Sequence, residues 1–202
     1  MAVLPAEVTA IVLAGGRSTR FGSDKGLTLW RGRRLVDHVL DRLPVPRAGT
    51  VVVLRAEQDR DPPPGVRSVH DDPAAPDGPL RGVIRGLEAC PPGWAWVVAC
   101  DQPLIQAGLL EALCTTALPD DLALVPEWQG RLQPLSGLYR TAAASRLKAR
   151  QTAGDRSLID ALAAVGFRTF SESRCRRYDP RGLGFLNVNR PEQLQELEGL
   201  AP

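Results

Sequence analysis

Residues 13–25 read Leu-Ala-Gly-Gly-Arg-Ser-Thr-Arg-Phe-Gly-Ser-Asp-Lys and bring three glycines, two arginines and a lysine into one short stretch. Glycine lets backbone N–H groups approach an oxyanion with no Cβ in the way, and Arg17, Arg20 and Lys25 add the positive charge that a triphosphate requires. A loop of this make-up reads as a phosphate cradle, although Gly15-Gly16 alone is equally a plain turn. Neither the G-x-G-x-x-G spacing of dinucleotide-binding loops nor the G-x-x-x-x-G-K-[ST] spacing of P-loops occurs in it.

Carboxylates and amides stand at the ends of later apolar runs. Asp101 follows the run Trp94 to Cys100 and precedes Pro103. There it is either a hard oxygen ligand for Mg²⁺ bridging phosphates or a cap for the next helix. Asp71 and Asp72 close a shorter run; because strand side chains alternate faces, one of the two points into a site, unless the pair only makes the turn before Pro73. Asn187 and Asn189 are the only asparagines, and Lys25 and Lys148 the only lysines, in a chain whose basic residues are otherwise Arg. In so biased a composition an Asn or a Lys is there for its chemistry. Asn187 and Asn189 alternate, so both amides can face one cleft; helix capping is their other reading.

The elements that must position these groups alternate in type. Val8 to Leu13 is a continuous apolar run, the pattern of a strand buried on both faces. Leu35, Val36, Val39, Leu40 and Leu43 recur at helical spacing before Pro44, and strands follow at Thr50 to Leu54 and around Val66 to Val69, separated by a proline-rich loop at Asp59 to Gly65. Gly78-Pro79 opens a helix carrying Leu80, Val83, Ile84 and Leu87, and Trp94 to Cys100 is the next strand. Further on come a helix around Leu109 to Cys114, a strand at Leu122 to Val125, a helix through Leu158, Leu162 and Val165, a strand at Gly166 to Phe170 and a last helix from Pro191. This alternation predicts a three-layer α/β fold: a single domain over residues 1–202 with a mostly parallel, Rossmann-like sheet, helices on both faces and ligands at the carboxyl ends of the strands.

Composition narrows the partners. The 202 residues carry 25 basic and 23 acidic side chains, a net +2, so there is no broad basic field of the kind that holds nucleic acid. Cys90, Cys100, Cys114 and Cys175 show no C-x-x-C spacing and read as reduced, mostly buried thiols. The N-terminal stretch has neither a charged n-region nor a membrane-length apolar run, so a cytoplasmic protein without membrane association is expected. His38, His70, Trp94 and Trp96 read as structural, and Arg31, Arg33 and Arg34 as a solvated face. Arg174, Arg176 and Arg177 are either a surface loop or a hold on an acceptor phosphate.

Residues 13–25 match L-A-G-G-x-S-x-R-x-G-x-D-K, and in this the chain resembles the molybdenum cofactor guanylyltransferases of the nucleotidyltransferase superfamily. Phe21 stands where that family usually has Met. The likeness continues through Asp71, Gly78-Pro79-Leu80-Arg81-Gly82, Cys100-Asp101-Gln102-Pro103, Gln133-Pro134-Leu135 with Tyr139, and Asn187-Val188-Asn189-Arg190-Pro191-Glu192, nearly the whole chain. The resemblance implies transfer of GMP from GTP to molybdopterin or its molybdenum-loaded form, with GTP in the N-terminal half and the acceptor in the C-terminal half. It implies Lys25, Arg20 and Asp101 as catalytic residues; Leu13, Ala14, Gly15, Gly16, Lys25, Asp71 and Asp101 as nucleotide ligands; Gln133, Asn187 and Asn189 as acceptor ligands; and Asp101 as the Mg²⁺ ligand. A monomer is expected, with molybdoenzyme-maturation proteins as downstream partners.

Two departures matter. Leu54 and Arg55 occupy the end of the second strand, where the family often has Asn, so a nucleoside contact from there is expected through the backbone. Arg190 replaces the usual Thr cap before Pro191, at a cost of about 1 kcal/mol that Asn189 would offset. Two alternatives stay open: a cytidylyltransferase making the cytosine dinucleotide, against which Leu-Ala-Gly-Gly and Gly-Pro-Leu-Arg-Gly weigh, and a non-catalytic nucleotide-binding or carrier relative, against which retention of Lys25 and Asp101 weighs.

Overall fold

The computed structural model describes residues 3–15, 28–45, 47–58, 62–190 and 192–200. In chain order the strands and helices are β1 (Val8–Leu13), β2 (Leu29–Trp30), β3 (Arg33–Arg34), α1 (Leu35–Arg42), β4 (Gly49–Leu54), β5 (Arg67–His70), α2 (Pro79–Glu88) and β6 (Trp94–Ala99). There follow α3 (Ala107–Thr116), β7 (Ala123–Trp128), β8 (Arg131–Leu132), β9 (Ser136–Arg140), α4 (Ala143–Thr152), α5 (Leu158–Val165), β10 (Arg168–Phe170), α6 (Glu172–Cys175) and α7 (Glu192–Glu198). The main sheet has the order β10-β7-β9-β6-β1-β4-β5, with β8 paired to β7.

The apolar run of β1 is explained by its place in the middle. It pairs in parallel with β4 on one side and β6 on the other, and its alternate side chains serve two cores. Val8, Ala10 and Val12 face a core with Val36 and Val39 of α1 and Leu109, Leu110 and Leu113 of α3. Ile11 faces the other, with Leu80, Val83, Ile84 and Leu87 of α2, Leu147 of α4 and Leu158 of α5. Burial of both faces requires apolar residues at every position, which is why no alternation is visible in the sequence.

The predicted sheet is present, with two additions besides β8, which pairs antiparallel with β7. β9 runs antiparallel between β6 and β7, and β2 and β3 form a separate two-stranded hairpin. The turn of that hairpin is Arg31-Gly32, both at positive φ (50° and 73°), the conformation that matches strand twist in a two-residue loop. Its basic residues are tied up at the surface: Arg31 with Glu198, Arg33 with Asp41 and Arg34 with Asp37, in keeping with the expected solvated face.

Helix α2 lies so close to β1 and β4 that a glycine is needed at the contact. A Cβ on Gly86 would fall 2.5 Å from Ile11 Cγ2 and 3.2 Å from Val53 Cγ2. Both neighbours are β-branched side chains buried in strands, and neither can swing away. Within a helix Gly→Ala ordinarily stabilises by about 1 kcal/mol; here the clash reverses the sign. Gly86→Ala should destabilise the fold by about 1–3 kcal/mol, measured as a lower midpoint in denaturant unfolding with an unchanged slope.

Candidate active site

Four parallel strands end level with one another, and the first polar residues beyond them build one cleft. Backbone bonds extend the ladder past the strand ends: Cys100 N–H donates to Leu13 O (3.0 Å), Ala14 N–H to Val53 O (2.9 Å) and Asp71 N–H to Leu54 O (2.8 Å). The cleft has a volume of about 520 Å³, and its walls include Leu13, Gly15, Arg55, Asp71, Arg81, Asp101, Asn187 and Asn189. At Gly15 a Cβ would sit 3.0 Å from Arg55 Cγ and 3.1 Å from Arg55 N, so this glycine is required by the close passage of β4. The first turn of α2 also faces the cleft through Gly78, Pro79 and Gly82, and the positive end of its dipole favours an anion there.

The two adjacent aspartates divide their tasks. Asp72 Oδ1 accepts from Ala74 N–H at 2.9 Å and makes the turn, on the exposed side. Asp71 is buried in the cleft wall, its Oδ2 2.7 Å from Arg81 Nε, while its buried Oδ1 accepts no hydrogen bond from the described residues. Arg81 continues to Asp77 (3.1 Å), and Arg55 lies 3.9 Å from the same carboxylate.

On the opposite wall, Asp101 and the Asn-Val-Asn segment are joined through the backbone: Val188 N–H donates to Asp101 O at 2.8 Å. Val188 is buried with Trp30, Leu35, Leu104 and Leu197, and the flanking Asn187 and Asn189 both line the cleft. Helix α3 begins at Ala107 with Gln106, five residues after Asp101, at its cap position. Ahead of α7, Gln193 Oε1 accepts from Asn189 N–H (2.6 Å) and Arg190 N–H (3.0 Å), so Gln193 satisfies backbone donors around the Arg at position 190.

A family profile described as MobA-like NTP transferase domain matches residues 10–165, from β1 to the end of α5. The chain belongs to this family. Among its relatives are a probable molybdenum cofactor guanylyltransferase of Chloroflexus aggregans, 36% identical over 93% of this chain and 92% of that protein, and a molybdenum cofactor guanylyltransferase of Pseudomonas putida, 35% identical over 92% and 95%. Of the solved structures, molybdopterin-guanine dinucleotide biosynthesis protein A of Archaeoglobus fulgidus superposes with a TM-score of 0.79 at 24% identity, covering 96% of this chain and 98% of that one. The 2-C-methyl-D-erythritol 4-phosphate cytidylyltransferase of Thermus thermophilus follows at 0.71 and 18%, over 96% and 98%. At these identities the two structures bear on the fold alone.

In this MobA-like transferase the cleft gathers Leu13, Gly15, Asp71, Asp101, Asn187 and Asn189 of the expected set. Gly16, Arg20 and Lys25 lie outside the described residues, and Ala14 is buried behind the wall. Gln133 is not part of the cleft wall: its N–H is bound to Pro126 O (2.8 Å) and its side-chain amide to Arg131 O (3.4 Å), which pins it beside β7. Leu135 lines the cleft instead. At positions 54 and 55, where a backbone contact was expected, Arg55 is part of the wall.

Asp77 was not singled out by sequence, and Arg81 was noted only within the Gly78-Pro79-Leu80-Arg81-Gly82 motif, without a role of its own. The available signal was the i, i+4 spacing of Asp77 and Arg81 at a helix start. The histidines serve as structural links, His38 Nε2 to Trp30 O and His70 Nε2 to Gln58 O. Arg174 stacks on Phe170, and Arg176 on Trp128, away from the cleft wall. None of the four cysteines is joined in a disulfide. Burial pushes Cys90 and Cys175 up to about 11 and Cys114 to about 12, so none of these three supplies a thiolate near neutral pH.

The split between the aspartates gives a direct comparison. Asp72→Ala should cost about 0.5–1.5 kcal/mol of stability and leave nucleotide affinity intact. Asp71→Ala should weaken the preferred nucleoside triphosphate by about tenfold or more. Calorimetric titration of both folded variants with the four triphosphates checks the contrast.

Proposed function

We propose that this protein transfers GMP from GTP to molybdopterin or its molybdenum-loaded form, releasing pyrophosphate and forming the guanine dinucleotide cofactor. The observation that carries the reading is the meeting of the Gly15 segment, Asp71, Asp101, Asn187 and Asn189 in one cleft, in a chain that matches molybdenum cofactor guanylyltransferases over more than nine-tenths of its length. The nucleoside end of GTP lies at Asp71, its triphosphate along the residues from Gly15 to Lys25, and the acceptor at the Asn187-Val188-Asn189 side. The free thiols suit a reducing compartment, so we set the reaction in the cytoplasm. Among the described residues no helix is long and apolar enough to cross a membrane.

In the reaction a terminal phosphate oxygen of the acceptor attacks the α-phosphorus in line. The new P–O bond forms as the bond between the α-phosphorus and the bridging oxygen to the β-phosphorus breaks, and pyrophosphate leaves with that electron pair. The attacking oxygen is already anionic and requires no protein nucleophile or base. The protein's task is to bring two anions together and neutralise charge as it redistributes. Gly15 and Gly16 present backbone N–H groups, and Arg20 and Lys25 place positive charge on the triphosphate.

Magnesium fits the oxygen donors of this cleft. Among the described residues no group of three or more His, Cys, Asp or Glu would hold a metal unaided, and Mg²⁺ characteristically binds through one or two protein oxygens plus phosphates and water. Asp101 would hold it, with an amide oxygen of Asn187 or Asn189 as a further ligand. Bound there, Mg²⁺ would supply charge neutralisation to the phosphate oxygens.

Pyrophosphate release with purified molybdopterin and each of the four triphosphates tests the assignment. Turnover should be greatest with GTP; turnover with CTP alone would make the protein a cytidylyltransferase. Asp101→Asn keeps the shape of the side chain and removes its charge, so turnover should fall by about a hundredfold or more while metal-free GTP binding is largely kept. Wild-type turnover in this variant would remove Asp101 from the metal site.

A further inference from the structure

We infer that Arg81 is a positioning residue for base selection: it clamps one oxygen of Asp71 so that the other is presented to the N–H edge of guanine. The inference rests on the guanylyl-transfer reading and adds to it the means by which the base is read.

Each guanidinium nitrogen of Arg81 is committed to a different point on the segment between β5 and α2. Nε lies 2.7 Å from Asp71 Oδ2, one terminal nitrogen 3.1 Å from Asp77 Oδ1, and the other donates to Ala75 O at 3.2 Å. Arg81 and Asp71 are only 7% and 6% exposed, so the pair is shielded from water. A planar fork with three fixed partners has one orientation, and it confers that orientation on the carboxylate it holds.

The clamp is lopsided. Oδ2 is engaged, whereas Oδ1 is buried and accepts no hydrogen bond from the described residues, in a residue that lines the cleft. An ionised carboxylate is purely an acceptor, and a buried acceptor left unmet is costly, so the oxygen is complementary to a ligand donor. Guanine offers two adjacent donors, N1–H and the 2-amino group. Cytosine and adenine each set an amino donor beside an acceptor nitrogen, and uracil flanks its one N–H with two carbonyl oxygens. A single fixed oxygen with two lone pairs therefore meets only donors on guanine and an opposing lone pair on the other three.

The experiment compares GTP with inosine triphosphate, which lacks only the 2-amino donor, by calorimetric titration of the intact protein. The wild type should bind GTP about tenfold more tightly than inosine triphosphate. In Arg81→Met and Arg81→Lys, each checked for folding by circular dichroism and thermal melting, the ratio should fall towards one. Lysine reaches Asp71 as a point charge without the other two contacts, and it decides the matter if Arg81→Met does not fold. Asp71→Asn should collapse the ratio likewise, and the double variant Asp71→Asn/Arg81→Met should lower it no further. A purely structural Arg81 would weaken both nucleotides by the same factor and leave the ratio at its wild-type value, and that result overturns the inference, as would a wild type indifferent to the 2-amino group. Preference of the wild type for GTP over CTP is read separately; its absence overturns the guanylyl-transfer reading itself.

Discussion

The cleft depends on the shared direction and register of β1, β4, β5 and β6. Leu13 is level with Val53 on one side and Ala99 on the other, and each strand is still bonded to its neighbour at the residue where its apolar run stops. The polar groups that follow are therefore held by backbone ladders, with little reliance on loop packing. A shift of one residue in any pairing would send β1's alternate side chains to the wrong core and would carry Asp71 or Asp101 out of the cleft. Register is thus enforced by burial on both faces of the sheet, and the geometry of the site follows from the same constraint.

Much of this could be read in the sequence, for reasons specific to the elements concerned. β1, β4 and β6 are continuous apolar runs because both of their faces are covered, and α2 has a sharp start at Gly78-Pro79. A carboxylate directly after such a run is placed at the strand's end by chain geometry, which made Asp71 and Asp101 visible. β9 was not visible, since Ser-Gly-Leu-Tyr-Arg is short and polar at both ends; its burial comes from β6 and β7 on either side. Nor did spacing decide between Asp71 and Asp72. That depended on the Asp72 turn with Ala74 and on the approach of Arg81.

The residues that sequence passed over share a physical character. Arg81 finds its partners ten, six and four residues back along the chain, across a turn that reverses between strand and helix; helical spacing reaches the last of them, and no periodic rule reaches the other two. Arg55, which with Leu54 stands where an amide was expected, is part of the cleft wall, and its guanidinium lies 3.9 Å from Asp77. Gln133 stands outside that wall, because the β7–β8 hairpin draws its backbone to Pro126. Motif order along a chain fixes which strand end a residue belongs to, and only the turns fix where its side chain goes.

Charge is the remaining problem for a site that must hold a triphosphate beside carboxylates. Asp71 is already compensated by Arg81, so it adds no uncancelled negative charge to the cleft, and in the proposed reading it keeps an acceptor oxygen for the base. Removal of either partner would leave a buried charge, at a cost of about 3–5 kcal/mol, which explains why a position inside an apolar helix face carries an arginine at all. Asp101 stands beyond β6, on the far side of β1 and β4 from Asp71, and its backbone carbonyl accepts from Val188 N–H. In the proposed reaction its carboxylate would face the cation that accompanies the phosphates. The two carboxylates are thus kept apart by the width of two strands, and the one that lies nearest the proposed base is neutralised by the fold itself, so a nucleotide bound between them would meet less repulsion than their number suggests.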